Sequence, residues 1–159
     1  MLNIRTILHP TDFSPCSDYA FRLACILARD YIARLILVHV KPPPVIVGEV
    51  GVIPADPEGY DKALMDQLNQ LQPADARLPV ERYLLQGSAA DEIVRLAGAK
   101  KCDLIVMGTH GRTGLGRLVM GSVAEVVLRK APCPVLTVKA GLPATASSVA
   151  ETPAKPAQA

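Results

Sequence analysis

Tryptophan is absent from the 159 residues, and two Phe and four Tyr leave aromatics at 4%. Single-stranded nucleic acid is held on platforms of such rings. A net charge of +2 is too small to grip a phosphate backbone, so no nucleic-acid partner is expected. No apolar run approaches the roughly 18 residues of a membrane span, which argues against a membrane partner. Met1-Leu2-Asn3-Ile4-Arg5 enters a strand-like run at once. It lacks the basic region, apolar stretch and small-residue cleavage site of a secretory signal, and a cytoplasmic protein is expected. Cysteine is sparse: Cys16, Cys25, Cys102 and Cys133 are far apart, with no C-x-x-C pair. That spacing fits neither a structural zinc site nor a dithiol redox site, and the four read as small core residues or idle thiols.

Half of the chain is hydrophobic, enough for one domain of ordinary size. Apolar strand runs alternate with helical stripes. Ile4 to His9 is a strand ended by the Pro10-Thr11-Asp12-Phe13 turn. Ser14 then caps an amphipathic helix to Tyr31, with Pro15 at its first position. Arg34–Val40 is a second strand, almost wholly apolar, as in a parallel sheet covered on both faces. The segment 41–58 holds five prolines and reads as a partly extended loop. A second helix starts at Asp56-Pro57 and ends at Gln72-Pro73. Val80–Gln86 is a third strand whose Glu81, Arg82 and preceding Pro79 suit a sheet edge. Ser88 with Asp91 opens a third helix as a capping box. Cys102–Met107 is the fourth strand. Ser122 with Glu125 is a second capping box, opening a helix that Pro132 stops, and Val135–Val138 is the fifth strand.

The expected fold is a single α/β domain over 1–139, with a doubly wound five-stranded parallel sheet and helices on both faces. Residues 41–58 are an insertion within it, and 140–159 form an Ala/Pro-rich tail with nothing large to bury, read as flexible. In such sheets ligands bind beyond the carboxyl ends of the strands, where the winding reverses.

Five glycines fall within the fourteen positions from Gly108 to Gly121. They allow unusual backbone angles and close approach to the main chain. This loop feeds a helix N-terminus, whose unpaired N–H groups favour an anion, and Arg112 and Arg117 add positive charge. Neither familiar phosphate motif is present. Gly111 and Gly116 have the P-loop spacing, but Arg117-Leu118 stands where Lys and Ser or Thr are required. Gly114-Leu115-Gly116 is followed by Val119 where the dinucleotide fingerprint needs glycine.

What the loop does match is G-x2-G-x9-G-[ST], as Gly108, Gly111, Gly121 and Ser122. With Ile7-Leu8-His9-Pro10-Thr11-Asp12, Leu37-Val38-His39-Val40 and Ala131-Pro132-Cys133-Pro134-Val135, this resembles the nucleotide-binding branch of the universal stress protein family over about residues 2 to 139. The resemblance implies strand order 3-2-1-4-5 and an adenine nucleotide, ATP, between strands one and four. Asp12, with Thr11 beside it, and the backbone of Val40 would meet the adenosine end. Gly108, Gly111, Gly121, Ser122 and Val123 would line the phosphate path, with Arg112 near it, and Pro10 and Met107 would shape the walls. Magnesium or manganese would come bound through the phosphates. The resemblance also implies a homodimer paired through the last strand. The proline-rich 41–58 segment is not part of the match.

Each residue also has a plainer role. Asp12 suits a turn hydrogen bond near Ser14, and Ser122 suits a helix cap. His9 and His39 end neighbouring strands without the cluster a metal site needs, and read as hydrogen-bonded structure. The function expected is ATP-binding regulation of a stress response through an unidentified client. No motif places a catalytic residue, which makes slow ATP hydrolysis or self-phosphorylation in the same pocket the second reading. A nucleotide-free interaction module is the third. A flavin carrier is set aside, since Pro10–Ser14 is too short for its phosphate loop and the aromatics are too few.

Overall fold

A computed structural model describes residues 3–43, 45–47, 50–52, 56–109 and 120–139. Along the chain run β1 (Thr6–Pro10), α1 (Pro15–Tyr31), β2 (Arg34–Lys41), β3 (Val45–Val47), β4 (Val50–Val52), α2 (Pro57–Gln70), β5 (Val80–Gln86), α3 (Ala89–Ala99), β6 (Leu104–Gly108), α4 (Ser122–Lys130) and β7 (Val135–Val138). Five of these strands make one parallel sheet in the order β5-β2-β1-β6-β7. Counting only the sheet strands in chain order, this is the 3-2-1-4-5 winding, with β5 and β7 at the edges.

Adjacent strand residues point to opposite faces, and both faces are covered. Leu8, Ile36, Val38, Ile105 and Met107 pack against Ile93, Leu96, Ala124 and Val127 of α3 and α4. Ile7, Leu35, Leu37 and Val106 pack against Ala20, Phe21, Ala24 and Ala28 of α1 and Leu68 of α2. The alanine stripe brings the α1 backbone close to the sheet. Each wholly buried Leu or Ile contributes roughly 1.5–3 kcal/mol, so these two layers hold the strand ends in place.

The first two helices begin where local chemistry places them. Ser14 Oγ accepts from the Ser17 N–H at 3.2 Å, ahead of Pro15. Asp56 Oδ1 accepts from the Gly59 N–H at 2.9 Å, ahead of Pro57. α2 ends at Gln70, two residues before the expected Gln72.

Neither capping box forms. Ser88 stands at the N-cap of α3, but its side chain takes no N–H of the helix. It hydrogen-bonds the Asp91 carboxyl, and with Lys130 holds that group below its ordinary pKa. At α4 the N-cap is Gly121, and Ser122 is the first helical residue. The Gly121 N–H donates to the Thr109 carbonyl at 2.7 Å, which fixes Gly121 in the cap position. Glu125 turns instead to Arg129, one helical turn on, at 2.7 Å.

Within 41–58, where a partly extended loop was expected, the described residues include two short strands. β3 and β4 pair antiparallel, Val45 with Val52 and Val47 with Val50. Its prolines fall outside the two strands, so none interrupts the pairing, and the β-branched runs between them favour extended backbone. The 140–159 tail lies outside the described residues.

Candidate functional site

The winding reverses between β1 and β6. These strands pair at Ile7 with Leu104 and Leu8 with Ile105. One step further a side chain takes over: His9 Nδ1–H donates to the Val106 carbonyl at 2.8 Å. His9 is wholly buried against the Phe21 ring, and its Nε2 has no partner among the described residues. Burial outweighs that hydrogen bond and pushes the imidazole pKa down from 6.5 to about 4. His9 therefore stays neutral under ordinary conditions and acts as a strand tie.

Beyond this tie lies a cleft of about 290 Å3. Pro10, Thr11 and Asp12 line it from the end of β1, and Val38, His39 and Val40 from β2. Met107 and Gly108 come from β6 and Thr109 from the residue after it, and Gly121, Ser122, Val123 and Ala124 from the start of α4. Ala89 and Ile93 of α3 and Ser17 of α1 complete the wall. Nine of the eleven residues singled out from sequence are thus brought together. The other two, Gly111 and Arg112, lie outside the described residues, as do His110, Gly114, Leu115, Gly116 and Arg117.

The turn that carries Asp12 is closely held. Thr11 N–H donates to the Val38 carbonyl at 2.8 Å, and the Thr11 carbonyl accepts from His39 Nδ1–H at 2.8 Å. Thr11 Oγ1 accepts from the Phe13 N–H at 3.1 Å and from Ser17 Oγ at 2.9 Å. Asp12 Oδ1 accepts from the Ser14 N–H at 3.0 Å, the turn role open to a strand-end aspartate. Phe13 sits at φ 61°, a left-handed conformation uncommon for a bulky residue.

Just past β6, the Thr109 carbonyl accepts from the Gly121 N–H at 2.7 Å, which sets the start of α4 beside the end of that strand. The first-turn N–H groups of Ser122, Val123 and Ala124 have no intrahelical carbonyl to reach, and all three residues line the cleft. The N-cap is a glycine, with no side-chain oxygen to occupy them. This end of α4 carries partial positive charge. The same cleft holds Asp12 and an apolar wall of Val38, Val40, Ile93 and Met107. Such an arrangement suits an elongated ligand with a flat apolar end and an anionic end.

Gly108 has a further reason to be glycine. A Cβ there would lie 2.8 Å from Cys16 Sγ and 3.3 Å from the Cys16 carbonyl carbon and oxygen. Its missing side chain lets the first turn of α1 close on β6, where Cys16 Sγ–H donates to the Val138 carbonyl at 3.4 Å.

Sequence reasoning missed Ser17, Val38, Thr109, Ala89, Ile93 and Ala124 as cleft residues. It saw His39 as structure, which its bond to Thr11 bears out, without placing it at the cleft. The Leu37-Val38-His39-Val40 strand end was the available signal. Ala89 and Ile93 had none, because only the crossover of α3 brings them to this end. The thiols are free; burial raises Cys25 to about 11 and Cys102 to about 12, far from reactive values. Among the described residues no group of three or more His, Cys, Asp or Glu could hold a metal ion, and no helix is long and apolar enough to cross a membrane.

Comparison with known proteins adds independent findings. The model of the universal stress protein family matches residues 3–139. A universal stress protein of Methanocaldococcus jannaschii is 37% identical over 145 residues, covering 85% of this chain and 82% of the relative. Among solved structures, the universal stress protein UspA from Lactobacillus plantarum superposes with a TM-score of 0.70 at 25% identity, covering 86% of this chain and 98% of its own. A universal stress protein crystallised in complex with cAMP superposes with a TM-score of 0.64 at 29% identity, covering 86% and 97%.

Proposed function

The chain belongs to the universal stress protein family, and on that premise we propose that it binds an adenine nucleotide, ATP first among them, in the cleft between β1 and β6. The observation that carries this reading is the pairing of two unlike ends in one cleft. The glycine-capped start of α4 offers N–H groups to phosphate oxygens, while the Asp12 turn and the Val40 backbone face the nucleoside. The relative solved with cAMP supports the adenine class. Of the eleven candidate contacts, Pro10 and Met107 form walls, Thr11, Asp12 and Val40 take the nucleoside, and Gly108, Gly121, Ser122 and Val123 take the phosphates. Gly111 by motif and Arg112 by its charge are further candidates for the phosphate end.

Magnesium or manganese would be held chiefly by the phosphates, and its chemistry is charge neutralisation. The output is a change of conformation or assembly on binding, with no dedicated turnover. The free thiols suit a reducing compartment such as the cytoplasm. β7 is an edge strand whose Leu136 is 38% exposed, and Val123 and Leu128 of α4 are exposed as well. An apolar edge calls for a partner, and a second copy paired through β7 provides one.

The test has two arms. Freshly purified protein is denatured and any released nucleotide identified by mass, and the emptied, refolded protein is titrated with ATP, cAMP and GTP by calorimetry. Adenine nucleotide in either arm, with GTP weaker, is the expected result. Protein that releases nothing and gives no heat with any of the three overturns the reading.

A further inference from the structure

We propose that His39 is a positioning residue for the nucleoside end of the cleft, acting through its hydrogen bond to the Thr11 carbonyl. This rests on the nucleotide reading above and assigns a part within it to a side chain that the glycine-loop pattern leaves out.

Asp12 sits in a turn that an isolated chain would disfavour, because Phe13 adopts φ 61°. A strained turn persists only where its surroundings over-determine it. Two of its supports come from β2, the neighbouring strand. The Thr11 N–H donates to the Val38 carbonyl, which extends the sheet by one step. The Thr11 carbonyl, on the same side, accepts from His39 Nδ1–H at 2.8 Å. A carbonyl can only accept, so Nδ1 carries the proton and the tautomer is set. The Phe13 ring lies against the imidazole with centroids 4.6 Å apart, so one side chain holds both the carbonyl before Asp12 and the strained residue after it. His39 is 8% exposed and lines the cleft beside Val40. The bonds within the turn itself, from the Phe13 N–H to Thr11 Oγ1 and from the Ser14 N–H to Asp12 Oδ1, move with it, Ser17 Oγ ties Thr11 Oγ1 to α1, and neither can set its height relative to β2. His39 can, because β2 is anchored on both faces.

Two substitutions separate the ring from the bond. His39→Phe keeps a ring against Phe13 and removes the donor. His39→Asn keeps a donor near the position of Nδ1 and removes the ring. ATP and adenosine are titrated against wild type and both variants, with circular dichroism and melting temperature as folding checks. Amide exchange at Phe13 and Ser14 is followed without ligand. His39→Phe is expected to weaken ATP and adenosine by the same factor, about tenfold for one lost hydrogen bond's worth of positioning, and to speed exchange at both amides. His39→Asn is expected to stay within about threefold of wild type and to keep the amides protected.

A role confined to stability would lower the melting temperature of both variants and leave affinity in the folded protein unchanged, which overturns the proposal. So does a loss confined to ATP, which would place the effect at the phosphate end, or a His39→Asn as weak as His39→Phe. Wild type that binds neither ligand overturns the nucleotide reading and this role with it. Unchanged amide exchange in His39→Phe overturns the role alone.

Discussion

Replacing Gly108 by alanine tests whether this glycine serves helix packing or ligand approach. The new methyl carbon would stand 2.8 Å from Cys16 Sγ and 3.3 Å from the Cys16 carbonyl group. The thiol could rotate away, at the loss of its bond to the Val138 carbonyl. The carbonyl belongs to the first turn of α1 and moves only with the helix. Overpacking of this kind costs about 1–3 kcal/mol, which for a chain of this length lowers the melting temperature by about 3–10 °C. The same change in a Cys16→Ala background meets no sulfur, leaving only the two 3.3 Å contacts, and should cost less than about 1 kcal/mol. The double-mutant cycle is thus expected to show a coupling of about 1–2 kcal/mol, within the range for touching residues. Thermal and urea unfolding of the four proteins measure it. Gly108→Ala as stable as wild type, or an equal penalty in both backgrounds, refutes the packing argument. The methyl points toward α1, so ATP affinity should fall far less than when the start of α4 is altered.

That alteration is Gly121→Val. A branched side chain at the N-cap would crowd the N–H groups offered to phosphate, each charge-assisted bond contributing roughly 1.5–3 kcal/mol. ATP should bind at least about a hundredfold more weakly and adenosine much less so; unchanged ATP affinity by calorimetry in a folded variant moves the phosphate site elsewhere. His9 makes stability depend on acid. The unfolded imidazole takes a proton near pH 6.5 and the buried one only near 4, so between these values the unfolded state binds more protons. Stability falls as pH drops through that window, by about 3 kcal/mol in all, and levels off below it. Urea unfolding at several pH values should show this slope, and His9→Asn should flatten it; a variant with the wild-type slope assigns the effect to other groups. For the β7 edge, light scattering at micromolar concentration should give twice the chain mass, and Leu136→Lys should shift the protein toward monomer. A monomeric wild type removes the dimer.

The sequence by itself determined the class of fold. A parallel sheet covered on both faces needs continuous apolar strands, and Ile7-Leu8, Leu35–Val38 and Ile105–Met107 supply them. It also determined the starts of α1 and α2, because Ser14 with Pro15 and Asp56 with Pro57 act on N–H groups three residues away. The Gly108-to-Ser122 spacing marked one side of the cleft for a similar reason, being a short chain segment with its own backbone demands. Tertiary structure decided the rest, through contacts that no local pattern encodes. Ser122 loses the cap of α4 to Gly121 because the Thr109 carbonyl holds the Gly121 N–H. Gly108 faces Cys16 from the far end of the chain. His39 reaches the cleft because β2 lies beside β1 and its imidazole spans the gap to Thr11. Ile93 joins the same wall only after α3 has crossed the sheet. Capping and periodicity act over a few residues and are written in order along the chain. A cleft at a switch point is assembled from strand ends that meet only once the sheet has wound in both directions.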